Sequence, residues 1–261
     1  MDWLYGRQVV RLACAGGAKR RPHRLAASRD GLEWLAAHGV DLERRGLTVE
    51  RLEARDLREL TGSPEHQGAA CLVGDYPYVS AEALLERPLV VVLDEVTDPH
   101  NLGAVARSAL AAGAGGLAVP RHRAAAVTPA AVKASAGATE HLDIAHVTNV
   151  VGFLGEYKKA GGWAYGAAGE AGRPFTGLDL TGKVALVFGA EGRGLRPLVR
   201  RACDELGAIP MQGPVDSLNV SVAAALFLFE ARRQREAAGT AHRGASGGAG
   251  AGIDPGAERG R

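Results

Sequence analysis

Aromatic residues are scarce in this 261-residue chain, at 5% of positions, and there are only three cysteines. Cys14, Cys71 and Cys203 stand far apart, with no CxxC pair and no companion histidine at ligand spacing. That excludes a zinc ribbon and a disulfide framework, and each reads as a small buried or half-buried residue. No run approaches the roughly 20 apolar residues of a membrane-spanning helix. The N-terminus lacks the apolar centre of a secretory signal, because Arg7 and Arg11 interrupt it. A cytoplasmic protein is expected. The phosphate loop G-x-x-x-x-G-K-[ST] and the dinucleotide fingerprint G-x-G-x-x-G are both missing, which disfavours a nucleoside triphosphatase or a nicotinamide enzyme. Acidic residues are absent from positions 3 to 29, where seven Lys/Arg accumulate in a chain whose net charge is only +2. Such a stretch suits phosphate, and on charge alone it fits a solvated face equally well.

What is present is a regular alternation. LVVVLD (89–94) and VALVFG (184–189) are continuous apolar, β-branched runs, as expected of strands buried on both faces of a parallel sheet. LAVP (117–120), WAYGAA (163–168) and LGAIPM (206–211) are shorter candidates, and AACLV (69–73) reads as a strand of an earlier unit. Between the strands lie helical patterns. In Asn101 to Ala112, Leu102, Val105, Ala106, Ala109 and Leu110 form one stripe, and Gly113 is placed to end the helix. The fold class is therefore α/β with a mainly parallel sheet. Domains are expected at 1–76 and 88–236, joined by a linker at 77–87. Residues 237–261 are mostly Gly and Ala without periodicity, so a disordered tail is expected there.

Three motifs follow strands. LDEVTDPHNLGAVARSALAAG (93–113) carries Asn101 and an off-stripe Arg107. FGAEGRGLRPL (188–198) is a Gly-rich turn in which Glu191 would repel a pyrophosphate and suits a cationic or hydroxyl-rich ligand. AIPMQGPVDSLNVSVAAALFLFEARRQR (208–235) places Ser217 as the expected N-cap of a long apolar helix. Asn219 and Ser221 sit in its first turns and need polar partners. Taken singly, an Asn at a helix start is a cap and an exposed Arg is solvated.

In this order and spacing the three motifs closely resemble those of the SpoU (TrmH) family of RNA 2′-O-methyltransferases, in the SPOUT class. The likeness covers about residues 88 to 236 and is nearest to guanosine-specific enzymes of large-subunit rRNA. YGRQVV (5–10) and HQGAACLV (66–73) resemble the ends of the L30e-like RNA-binding domain of the rRNA enzymes. The resemblance implies a SPOUT parallel sheet with a C-terminal trefoil knot and a homodimer with its active site at or near the subunit interface. It implies S-adenosylmethionine as cofactor, no metal, and large-subunit rRNA as substrate. Backbone groups at Gly189, Ile209 and Leu218 would hold the cofactor, with Met211, Ala190 and Gly194 beside them. Arg107 would be central to catalysis, with Asn101, Glu191, Ser217 and Asn219 completing the pocket. Arg7, Lys19, Arg20, Arg21 and Arg24, near Tyr5, would meet RNA. An adenosine-specific resistance enzyme, a tRNA 2′-O-methyltransferase and a non-catalytic ribosome-assembly factor are the alternatives.

Overall fold

The computed structural model describes residues 1–42, 46–214 and 216–246, with side chains to Gly239. The first 73 residues build a four-stranded sheet from β1 (Asp2–Tyr5), β2 (Arg24–Ala27), β3 (Thr48–Arg51) and β4 (Ala69–Val73), in the order β1-β4-β2-β3. β4 runs antiparallel to β1 and β2, while β2 and β3 are parallel. Helices α1 (Arg7–Ala13), α2 (Arg29–Ala37) and α3 (Ala54–Thr61) accompany it. Ser28 starts α2 by accepting the N–H of Gly31.

Residues 76–85, at and within the segment expected as a linker, pack on the second sheet. The Tyr76 hydroxyl donates to the carbonyls of Thr139 (2.8 Å) and Leu142 (3.1 Å). Val79 bridges to Ala145, and α4 (Ala81–Leu85) buries Leu84 completely. Backbone and side-chain polar groups that would be solvated in a tether are satisfied here by the sheet.

The second sheet contains β5 (Leu89–Asp94), β6 (Gly116–Pro120), β7 (Ile144–Val147), β8 (Trp163–Ala167), β9 (Val184–Gly189) and β10 (Glu205–Gly207). Its order is β10-β8-β9-β5-β6-β7, and every pairing is parallel. Burial on both faces explains the unbroken apolar runs. Leu89, Val91 and Leu93 of β5 face one core, with α5 (Pro99–Ala112), α6 (Pro129–Ala134) and α9 (Val220–Ser246). Val90 and Val92 face the other, with α4, α7 (Val150–Lys159) and α8 (Pro197–Ala202). Gly113 closes α5 in the left-handed conformation, as expected (φ 83°).

The chain steps outward from β5 through β6 to β7. It then returns to the opposite side, where β9 fills the place between β5 and β8. Ligands of parallel sheets gather at the carboxyl ends of strands beside such a reversal.

Three boundaries differ from expectation. β10 stops at Gly207 instead of continuing to Met211, because Ala208 leaves to bridge Pro174. α9 starts at Val220, and Asn219 rather than Ser217 caps it, its Oδ1 accepting the Ser221 N–H at 2.9 Å. α9 also continues through residues 237–246, within the expected tail; residues 247–261 lie outside the described residues.

The basic stretch needs a larger correction. Arg20 is buried, not at an RNA surface: its guanidinium meets Glu140 at 3.0 Å and 2.6 Å and lies 5.1 Å over the Tyr76 ring. Lys19 pairs with Asp143, which also holds Arg87, and Arg24 pairs with Glu50. Glu140 and Asp143 lie on and just beyond a short 3-10 turn (Ala138–His141) of the second unit. Arg20 and Lys19 therefore dock the first sheet on the second. Arg21 remains exposed, and Arg7 is half-buried.

Candidate active site

The carboxyl ends of β8, β9 and β10 surround a pocket of about 540 Å³, within the size range of small-molecule sites. Glycine is required at the end of β9: a Cβ on Gly189 would lie 2.1 Å from the carbonyl of Gly194. That contact lets the 190–195 turn fold back on the strand, where the N–H of Gly194 donates to the carbonyl of Ala190 at 2.9 Å. The apolar walls include Phe188, Ile209, Met211, Leu218 and Phe227, and the polar ones include Glu170, Glu191, Asp216 and Ser217. All six residues expected around the cofactor (Gly189, Ala190, Gly194, Ile209, Met211 and Leu218) line this one pocket. Apolar walls suit a purine ring; with Glu170 paired to Arg200, Glu191 and Asp216 remain as carboxylates for ribose hydroxyls or a sulfonium, and Arg193 also lines the pocket, so the residues present fit an adenosyl sulfonium.

Beside the pocket, at its lining residue Glu191, one side chain from each motif meets the other two. Glu191 Oε1 accepts from the amides of Asn101 (3.0 Å) and Asn219. The Asn219 amide also donates to Asn101 Oδ1 at 2.9 Å. Asn101 is buried at the start of α5, and residues 90 and 118 positions later in the chain close on it. The Ser221 hydroxyl donates to Asn219 Oδ1 (2.6 Å), so the polar residues in the first turn of α9 have their partners. Ser217 lines the pocket and donates to Asp216.

Arg107 does not join this group. It is exposed on α5, roughly 9 Å farther along the helix axis than Asn101 at 1.5 Å per residue. It makes no hydrogen bond or ion pair with any described residue.

Sequence reasoning passed over Asp94 and Arg196. The Asp94 carboxylate, fully buried at the end of β5, accepts from the Arg196 backbone N–H (3.0 Å) and Nε (2.8 Å). The hydrogen bond to Asp94 raises the Arg196 pKa above its ordinary value, with further help from the nearby charges of Asp94 and Glu95. The pair fastens the Gly-rich turn to the neighbouring strand. A visible signal existed: one charged residue closing an otherwise apolar buried run.

Comparison with known proteins agrees with this geometry. The chain is 44% identical over 199 residues to the 23S rRNA (guanosine-2′-O-)-methyltransferase RlmB of Xanthomonas campestris pv. campestris, covering 74% of this chain and 80% of that protein. RlmB of Escherichia coli K12 is 42% identical over 202 residues, 74% of this chain and 82% of that one. Among solved structures, the SpoU methyltransferase AviRb from Streptomyces viridochromogenes in complex with AdoMet superposes with a TM-score of 0.73 at 27% identity, over 90% of each chain. Residues 88–229 match the SpoU rRNA Methylase family, and the chain belongs to that family.

Proposed function

We propose that this protein transfers a methyl group from S-adenosylmethionine to the ribose 2′-hydroxyl of a guanosine in large-subunit (23S) rRNA. The carrying observation is the Asn101–Glu191–Asn219 network beside the pocket, in a SpoU-family chain similar to guanosine-2′-O-methyltransferases. S-adenosylmethionine, when bound, supplies a methyl group already activated on a sulfonium. Alignment then dominates the barrier, and near-attack geometry holds reacting atoms about 3–3.5 Å apart. Backbone groups of Gly189, Ile209 and Leu218 hold the adenosine part, beside Ala190, Met211 and Gly194. Glu191, fixed by two amides, orients the ribose, and Ser217 completes the wall. A guanidinium offers donors and no acceptor, so Arg107 acts as a phosphate clamp or as a donor to the developing alkoxide.

The working unit is a homodimer. Val222 (47% exposed), Leu226 (39%) and Phe229 (47%) form one apolar face of α9 at helical spacing, continued by Leu218. A second copy seated on that face would cover the pocket wall and bring Arg107 of the partner subunit to the network. The C-terminal part of the domain carries the family's trefoil knot, a reading supported by the SpoU-family match. The first 76 residues act as an L30e-like RNA-binding domain, in which Arg7, Arg21 and Arg24 rather than Arg20 meet RNA. The protein works in the cytoplasm, where its substrate is made.

The test is mass-spectrometric mapping of ribose methylation on large-subunit rRNA from cells with and without the gene. Loss of one 2′-O-methylguanosine is expected. Unchanged large-subunit rRNA would refute this substrate, and a loss confined to tRNA would reassign it.

A further inference from the structure

We propose that a recess beside α1 and α2 binds one unstacked purine base of the RNA, with Trp34 as its stacking surface and Arg7 and Gln67 at its edges. The inference rests on the RNA substrate proposed above and adds a contact remote from the methyl-transfer pocket. The recess has a volume of about 530 Å³ and is lined by Arg7, Gln8, Trp34 and Gln67. Among the described residues its lining has one indole, one guanidinium and two carboxamides and no carboxylate; the Gln67 Oε1 also accepts the Arg7 backbone N–H at 3.3 Å.

The site is built rather than incidental. A Cβ on Gly31 would lie 1.9 Å from the Gly68 carbonyl oxygen, so glycine lets α2 touch the 67–68 turn. Trp34, one helical turn beyond Gly31, is thereby set beside Gln67. His38 stacks on one face of the indole (centroids 3.8 Å apart, planes 16° apart), and the half-buried ring, packed in part on the core, contributes its remaining surface to the lining of the recess. Gln67 is held at φ 53°, a left-handed conformation uncommon for a side chain of its kind, and such positions concentrate at ligand clamps. Its carbonyl accepts from Arg7 Nε at 2.7 Å, fixing the guanidinium while its terminal nitrogens keep no partner among the described residues. One turn farther along α1, Arg11 has its Nε buried without a hydrogen bond. The guanidinium charge of Arg11 adds to the cationic character of this face.

This combination matches the chemistry of a splayed base. Single-stranded RNA is recognised by stacking on aromatic rings and by hydrogen bonds to base edges. Carboxamides match the adenine edge, and guanidinium groups match the guanine edge. The larger ring system of a purine stacks on an indole more strongly than a pyrimidine does.

Fluorescence tests this directly. In the full-length chain, Trp3→Phe with Trp163→Phe leaves Trp34 as the sole indole. Oligoadenylate should quench it saturably, oligouridylate of equal length less, and a blunt RNA duplex not at all. Trp34→Ala should raise KM for an rRNA fragment about tenfold, with Trp34→Phe restoring most of it, the size expected for one base–aromatic stack. Affinity for S-adenosylhomocysteine reports that each variant is folded. Equal quenching by duplex and oligoadenylate, or an unchanged KM in Trp34→Ala, would overturn the site. Failure of the unsubstituted chain to methylate rRNA would instead strike the proposed function, because oligoadenylate quenching does not depend on turnover.

Discussion

Replacing Glu140 by glutamine removes one charge from a pair that has no access to water. The Glu140 side chain is 0% exposed and that of Arg20 is 2% exposed, and two hydrogen bonds join them. The substitution keeps the shape but leaves a buried guanidinium facing a neutral amide, which supplies one acceptor where two were used, and its remaining counter-charge is the half-exposed Asp2 carboxylate, 3.8 Å away. Breaking a buried pair in this way costs about 3–5 kcal/mol. For a chain of this length, each 1 kcal/mol moves the melting temperature roughly 2–4 °C, so a fall of about 10 °C is expected. The measurement is thermal and urea unfolding followed by circular dichroism. The companion variant, Arg20→Met with Glu140→Leu, removes both charges, and apolar replacement of an entire buried pair is often neutral. It should recover most of the lost stability. A cost below about 1 kcal/mol for Glu140→Gln, or a double variant as unstable as the single, would refute the argument that unpaired charge is the source.

Other outcomes follow from the site and the surface. Gly189→Ala drives a methyl group into the carbonyl of Gly194 and shifts the pocket wall; turnover should fall about 100-fold, as for an ångström-scale misplacement, measured by tritiated methyl transfer. Phe229→Glu places a carboxylate in the exposed face of α9 and should give a monomer by light scattering, with a dimer persisting only if the interface lies elsewhere. Arg107→Ala and Glu191→Ala should each be inactive, yet co-expression should recover about a quarter of normal activity, since random pairing makes half the dimers mixed and each mixed dimer keeps one intact site. No recovery would place Arg107 and Glu191 in the same subunit's site. Burial pushes the Cys203 thiol up to about 12 and the Cys71 thiol well above its ordinary value. Iodoacetamide at pH 8 should therefore leave both unmodified in the native protein and label all three cysteines in denaturant, read by intact mass.

The sheet was legible because burial on both faces leaves a composition that nothing else mimics. β5 and β9 are apolar at every position except the last of each, where Asp94 and Gly189 begin the site. The polar members of the network were legible because Asn219 and Ser221 break an apolar helix and Glu191 breaks a glycine-rich turn. Their meeting point was not, since Asn101 and Asn219 are 118 residues apart and only the strand order joins them. Arg20 misled for a related reason. Its neighbours Lys19 and Arg21 make a run of charge, while Glu140, the residue that takes it out of solvent, lies 120 positions away. The start of α9 was misread by two residues because Ser217 and Asn219 are both good caps, and contact with Glu191 and Asn101 favours the latter.

The placement of β9 between β5 and β8 has a consequence for synthesis. Among the described residues β8 pairs with β9 and β10 alone, both of which leave the ribosome after it. Until residues 184–189 emerge, the growing sheet carries an unpaired edge on β5 and a strand with no neighbour. Translation at about 5–20 residues per second makes that interval last roughly 1–4 seconds. Unpaired apolar edges are the surfaces that aggregate or recruit chaperones. A nascent chain whose emerged part ends between Ala167 and Val184 would be a chaperone client, while one released past Gly207 can complete its sheet. The pocket, whose walls come from β8, β9, β10 and α9, is thus completed only once α9 has emerged.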